Sequence, residues 1–232
     1  MHNYSVSDAV KQRVLRRRER VIAMDVIEGP RTALVVVDMQ NYFVGKGFPA
    51  EIPLAREIVP AINRMAAALR AVGGTVIWVQ TTAVGALETW GNHHRCFLSP
   101  AAAAKRIAQL AEGSEDFRLY PELDAKPGDL RVKKIKYSAM IQGSSDLPAV
   151  LAQHGIDTLL IGGTTTNTCC ESTARDAAML DYRVAMLSDC NATRDDAEHA
   201  MTLDHFQVVF GDVMSNDEAI ARLAPGTRRV SA

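Results

Sequence analysis

The chain has 232 residues, 47% hydrophobic, 23% charged and 6% aromatic, and its 26 Lys and Arg against 27 Asp and Glu leave a formal net charge of −1. That length supports one large domain with a substantial core, and the average composition excludes long disorder, collagen-like repeats and a disulfide scaffold. Balanced charge gives no electrostatic reason to expect nucleic acid or an anionic membrane as a partner.

Residues 1–28 read as a basic N-terminal arm. KQRVLRRRER carries six basic residues and one acid, with Val14 and Leu15 between them. The reading is a solvated helix or arm packing on a neighbouring subunit, since aromatics and a wider basic surface for nucleic acid or membrane are lacking. MHNYSVSDAV lacks the basic-then-apolar order of a secretory signal, and no apolar run approaches the ~20 residues of a membrane helix. Cys96, Cys169, Cys170 and Cys190 form no C-x-x-C pair and have no histidines at zinc spacing, so the expectation is a cytoplasmic protein with reduced thiols and no structural metal.

From Thr32 onward, apolar runs alternate with helical periods. ALVVVD (33–38) reads as a strand buried on both faces. Residues 53–72 read as one helix from Pro53, with Ile58, Ile62, Met65, Leu69 and Val72 at helical spacing and a stop at Gly73-Gly74. TVIWVQ (75–80), DLRVKK (129–134), TLLIGG (158–163), RVAMLSD (183–189) and QVVF (207–210) supply the remaining strands. Helices are expected near 146–154, 168–181, 195–206 and 215–223. The alternation predicts an α/β fold of three layers around a mostly parallel six-stranded sheet. An insertion at about 81–128, with an Ala-rich helix from Pro100 to Ala111, is placed to cover a site.

In such sheets ligands bind beyond the carboxyl ends of the strands. Asp38 follows the first strand in VVVDMQN, Lys134 closes the third in RVKKIKYSAM, and Cys169 comes shortly after the fourth in IGGTTTNTCCESTARDA. Gly162-Gly163 permits a tight exit, and the following helix start would stabilise a thiolate and lower the thiol pKa from about 8.5. Backbone amides there can also hold an oxyanion. Cys169 and Cys170 compete for this role, because they point about 100° apart on a helix. GGTTTNT lacks the Gly-Lys-Ser/Thr of a phosphate-binding loop.

VVVDMQN, KIKYSAM and GGTTTNTCCESTARDA, in that order, resemble the isochorismatase-like cysteine hydrolases over roughly residues 30–223. The resemblance implies strand order 3-2-1-4-5-6, a hydrolase domain over residues 29–232, and an Asp38–Lys134–Cys169 triad, with Cys169 rather than Cys170 as the nucleophile. It further implies an oxyanion hole from the backbone N–H groups of Thr165 and Cys169, a cis Thr164–Thr165 peptide, and amide hydrolysis through a thioester. Homo-oligomers, dimers or tetramers, are usual in the family.

Within it, the cysteine argues against vinyl-ether cleavage. The loop TTAVGALETWGNHHRCF has His93 and His94 but no D-x-H at its start, so neither a nicotinamidase-type metal nor a cofactor is expected. VVVDMQN, K-x-x-Y-S and T-N-x-C-x-E-S-T-x-R-D look most like the ureidoacrylate and N-carbamoyl amidohydrolases. Their substrates are small ureido, carbamoyl or amide compounds, often with a carboxylate elsewhere. Asn41, Gln80, Trp90, His93 and Tyr137 are the candidate substrate contacts. Other readings are a nicotinamidase-like or other small-amide amidase and, outside the hydrolases, an anion-binding or thiol-redox module.

If the third strand lies two positions from the first, about 10 Å at sheet spacing, Lys134 has to reach inward across the strand between them.

Overall fold

A computed structural model describes residues 1–226 of the chain. Helix α1 (Asp8–Arg18) is followed by a two-residue strand β1 (Ile27–Glu28), the central strand β2 (Thr32–Val37), α2 (Asn41–Val44), α3 (Leu54–Glu57), α4 (Val59–Ala71) and β3 (Thr75–Thr81). The insertion holds α5 (Ala86–Thr89), α6 (Gly91–Cys96) and α7 (Pro100–Gln109). Then come β4 (Leu130–Lys134), α8 (Leu147–Gln153), β5 (Thr158–Thr164), a π-helical turn at Thr166–Cys170 running into α9 (Glu171–Met179), and β6 (Arg183–Ala192). The chain continues through α10 (Asp196–Val209), β7 (Asp212–Met214), α11 (Asn216–Ile220) and β8 (Leu223–Ala224).

Six strands form one sheet in the order β4-β3-β2-β5-β6-β7, with every neighbouring pair parallel. Counting only these strands, that is the expected 3-2-1-4-5-6 order. β1 and β8 make a separate parallel pair.

Strand alternation divides the core in two. Leu34 and Val36 face a cluster with Ile62, Met65 and Leu69 of α4 and Ala219 of α11. Ala33, Val35 and Val37 face another, with Leu151 of α8, Ala174 and Ala177 of α9 and Phe206 of α10. Each buried Val, Leu or Phe contributes about 1.5–3 kcal/mol, so this central strand, wholly buried, anchors both layers. Among the described residues no helix is long and apolar enough to cross a membrane.

Three expectations change. The helix over 53–72 breaks at Ile58 into α3 and α4, because Pro60 lacks an N–H and its ring crowds the carbonyl four residues back. QVVF is not a strand: Gln207 to Val209 close α10, and the sixth strand is Asp212–Met214. His199, Thr202, Leu203, Phe206 and Gln207 keep a buried helical stripe through that run, while the Gln207 side chain accepts from the Val213 N–H. The basic first segment lies on its own chain: Val10 and Val14 are buried, α1 rests on α10, and Arg18 pairs with Asp212 at 2.8 Å.

Candidate active site

Asp38 leaves β2 with φ 53° in the left-handed region, one that Asp tolerates better than most residues. Its N–H donates to Val79 O at 2.8 Å, and its carbonyl accepts from Thr164 Oγ1 at 3.0 Å, which ties it to both neighbouring strands. Beside it, Gly163 has φ 120° and pairs in register with Val37. A Cβ at Gly163 would collide with the Val37 backbone, so only glycine brings β5 this close to Asp38. The Thr164–Thr165 peptide that follows is cis.

Lys134 ends β4, in register with Thr81 at the end of β3. Its side chain, 1% exposed, crosses beneath β3's end, and Nζ lies 2.8 Å from Asp38 Oδ2. Thr81 bridges the two: its hydroxyl donates to Asp38 Oδ1 at 2.8 Å and accepts from Lys134 Nζ at 2.7 Å. Gln40 fixes Thr81 in turn, accepting from its N–H at 2.7 Å and donating to its carbonyl at 3.0 Å. Burial pulls the Lys134 pKa down, but the Asp38 carboxylate and the Cys169 thiol outweigh it, so the ammonium titrates above its ordinary value.

Cys169 lies in the π-helical turn rather than in the first turn of an ordinary helix, a backbone form frequent at functional sites. Cys170 is fully buried, whereas Cys169 keeps an 8% exposed edge. The Cys169 thiol lies near enough to both Asp38 and Lys134 for each to shift its pKa. Its pKa moves opposite to the helix-start expectation. Burial pushes the thiol up to about 12; Lys134 lowers it and Asp38 raises it. With all three side chains buried, losing the proton to solvent would leave the three groups at −1. Passing it to Asp38 instead keeps the three groups neutral overall. Asp38 Oδ2 accepts no hydrogen bond despite the adjacent ammonium, so it retains a lone pair for that proton.

Cys169, Lys134 and Thr165 line a cavity of about 180 Å³. Trp90, Tyr137, Phe43 and Arg106 also line it. Trp90 stacks on His93 at 3.9 Å and meets Tyr137 edge-on at 4.8 Å, so His93 braces the wall from behind. Burial raises the Tyr137 pKa, with Cys169 adding to it. Asn41 and Gln80 are not brought there: Asn41 donates to Glu115 O at 3.0 Å and Gln80 to Phe117 O at 2.9 Å, both pinning the insertion. His94 is buried with its Nδ1 at 3.3 Å from Trp90 O and no partner at Nε2. Among the described residues no three His, Cys, Asp or Glu gather in a metal-holding group.

Two contributors escaped the sequence reading. Thr81 was readable in principle, because the strand between those of Asp38 and Lys134 has to end between them. Arg106 stands in an Ala-rich helix, where nothing in the pattern says which charge turns inward.

Residues 32–218 match the isochorismatase domain, and the chain belongs to that family of hydrolases. Its relatives include the ureidoacrylate amidohydrolase RutB of Pseudomonas savastanoi pv. phaseolicola (strain 1448A / Race 6), 33% identical over 94% of this chain and 93% of that protein. Among solved structures, a cysteine hydrolase from Pseudomonas syringae pv. phaseolicola 1448A superposes with a TM-score of 0.76 at 30% identity, covering 84% of this chain and 93% of the other. N-carbamoylsarcosine amidase from Thermoplasma acidophilum superposes with a TM-score of 0.63 at 26% identity, over 81% and 97% of the two chains.

Proposed function

We propose that the protein is a cysteine amidohydrolase that cleaves a C–N bond of a small ureido, carbamoyl or amide substrate. The observation that carries this reading is the meeting of Asp38 and Lys134 behind Cys169, with Lys134 and Cys169 lining one small cavity. The names of the relatives, a ureidoacrylate amidohydrolase and an N-carbamoylsarcosine amidase, point to the same substrate class.

The substrate carbonyl enters between Cys169 and the Trp90–Tyr137 wall. Asp38 takes the thiol proton as sulfur bonds to the carbonyl carbon, and the N–H groups of Thr165 and Cys169 receive the developing oxyanion. The C–N bond then breaks, the leaving nitrogen takes the proton from Asp38, and a thioester remains. Water attacks the thioester, Asp38 accepts its proton, the S–C bond breaks, and the proton returns to sulfur. Lys134 stays charged throughout and holds Asp38 in place. A thiol-redox module is a poorer account, since redox sensors use accessible, low-pKa thiolates, and Cys169 is buried and pushed up to about 12.

The test is ammonia release from a panel of ureido acids, carbamoyl amino acids and primary amides. Turnover of at least one class by the wild type and its loss, by at least 10³-fold, in Cys169→Ala are expected. Turnover that survives in Cys169→Ala overturns the reading.

A further inference from the structure

Arg106 projects from α7, part of the insertion, onto the cavity that Cys169 and Thr165 line from the sheet side. Among the described residues its guanidinium has neither a hydrogen bond nor an ion pair; it rests over the ring of Tyr42, 5.8 Å from the centroid. Arginines packed elsewhere against the sheet and its helices do pair with carboxylates of the chain, Arg70 with Asp129 at 2.6 Å and Arg56 with Glu51 at 2.7 Å. The remaining cations of the cavity wall are also engaged. Lys134 faces Asp38, and Lys136 donates to Gln142 O at 3.0 Å.

The consequence is an uncompensated positive charge. The Asp38–Lys134 pair is neutral as a unit, so Arg106, together with the Lys136 ammonium, makes the potential felt by an entering molecule positive, and Arg106 is the one of the two without a hydrogen-bond acceptor among the described residues. Its field reaches the wall residues: after burial it is the next influence holding the His93 imidazole below its ordinary pKa, and it draws the Tyr137 hydroxyl down against burial and Cys169. A guanidinium is suited to a carboxylate, which it can grip with two parallel N–H bonds, and the Tyr42 ring keeps its plane from wandering. A cavity of this volume is roughly 7 Å across. A carbonyl at Cys169 and an anion at Arg106 then belong to one short molecule.

We propose that Arg106 is the carboxylate-binding, specificity-determining residue of this site, so that the substrate is a short ureido or carbamoyl acid rather than a neutral amide. This inference rests on the amidohydrolase reading above. The test compares 3-ureidoacrylate with its methyl ester on the wild type, Arg106→Gln and Arg106→Lys, alongside a binding measurement that needs no turnover: protection of Cys169 from iodoacetamide by propionate or propionamide, read by mass spectrometry. For the wild type, kcat/KM is expected to favour the acid by about 100-fold. Arg106→Gln should lose that preference, because its KM for the acid rises far more than its KM for the ester, and Arg106→Lys should recover part of it. Propionate should protect Cys169 in the wild type better than propionamide and lose that advantage in Arg106→Gln.

An acid-to-ester ratio unchanged in Arg106→Gln overturns the proposal. If the wild type hydrolyses neither compound, the protection experiment alone decides: equal protection by propionate and propionamide overturns the carboxylate site, whereas a propionate advantage that depends on Arg106 supports it and leaves only the reaction to be reassigned.

Discussion

Thr81→Val removes one hydroxyl and little volume from between Asp38 and Lys134. That hydroxyl donates to Asp38 Oδ1 at 2.8 Å and accepts from Lys134 Nζ at 2.7 Å, with both charged partners buried. A hydrogen bond to a charged group contributes about 1.5–3 kcal/mol, and the valine would leave both ions short of one partner. The two losses share one atom and are not additive, so folding stability should fall by about 2–4 kcal/mol. If about 1.5–3 kcal/mol of that reflects a carboxylate no longer held against the thiol, kcat falls roughly 10- to 100-fold at about 1.4 kcal/mol per decade.

Urea unfolding measures the first quantity and steady-state hydrolysis measures the second, at a temperature where the variant is fully folded. KM should change little, since the hydroxyl is spent on Asp38 and Lys134. Thr81→Ser keeps the oxygen and should return kcat to within a few-fold of wild type. A valine variant that is folded and keeps kcat within a factor of two refutes the bridging role.

Two further outcomes follow from the fold. Burial, and then the facing His2 ring, bring the His199 imidazole down from 6.5 to about 4; the unfolded chain therefore takes up this proton first, and the stability present above pH 6.5 is lost as pH falls towards 4, on the order of 3 kcal/mol. Urea midpoints of His199→Gln across that window should fall less steeply than those of wild type, and an identical slope would refute the assignment. Gly163→Ala, whose Cβ meets the Val37 backbone at φ 120°, should cost more than 4 kcal/mol, while Gly47→Ala at φ 81° in open space should cost only about 1–2 kcal/mol of backbone strain; equal thermal shifts in the two would count against the close approach at Asp38.

The sheet order and the three residues that meet on it could be read from the chain because strand ends are written in composition. Apolar runs such as ALVVV end abruptly in a charged or capping residue, and the sheet geometry then places those residues on one edge. QVVF misled because three apolar residues in a row have no period of their own, and the buried stripe that keeps the run helical begins at His199, outside it. The thiol pKa was misjudged for a related reason. A helix start is local and visible, whereas the burial that overrides it comes from strands and an insertion distant in sequence. Lys134's reach was an open question until β3 supplied Thr81 as the intermediate.

The first residues of the chain take part in a construction with consequences for when the site comes into being. His2 accepts from the Thr193 N–H at 3.0 Å and stacks on His199 at 4.1 Å; the His199 ring, in turn, contacts the Thr166 hydroxyl at 2.9 Å in the turn that carries Cys169. Asn167 of that turn is held by Thr193 and Glu198. His2 thus helps complete the seat of Cys169 only with partners some 190 positions further on. Contacts this distant along the chain are late and slow to form. A chain grown only as far as Cys169 still lacks Thr193, Glu198 and His199, so the bracing of that turn arrives after the turn itself.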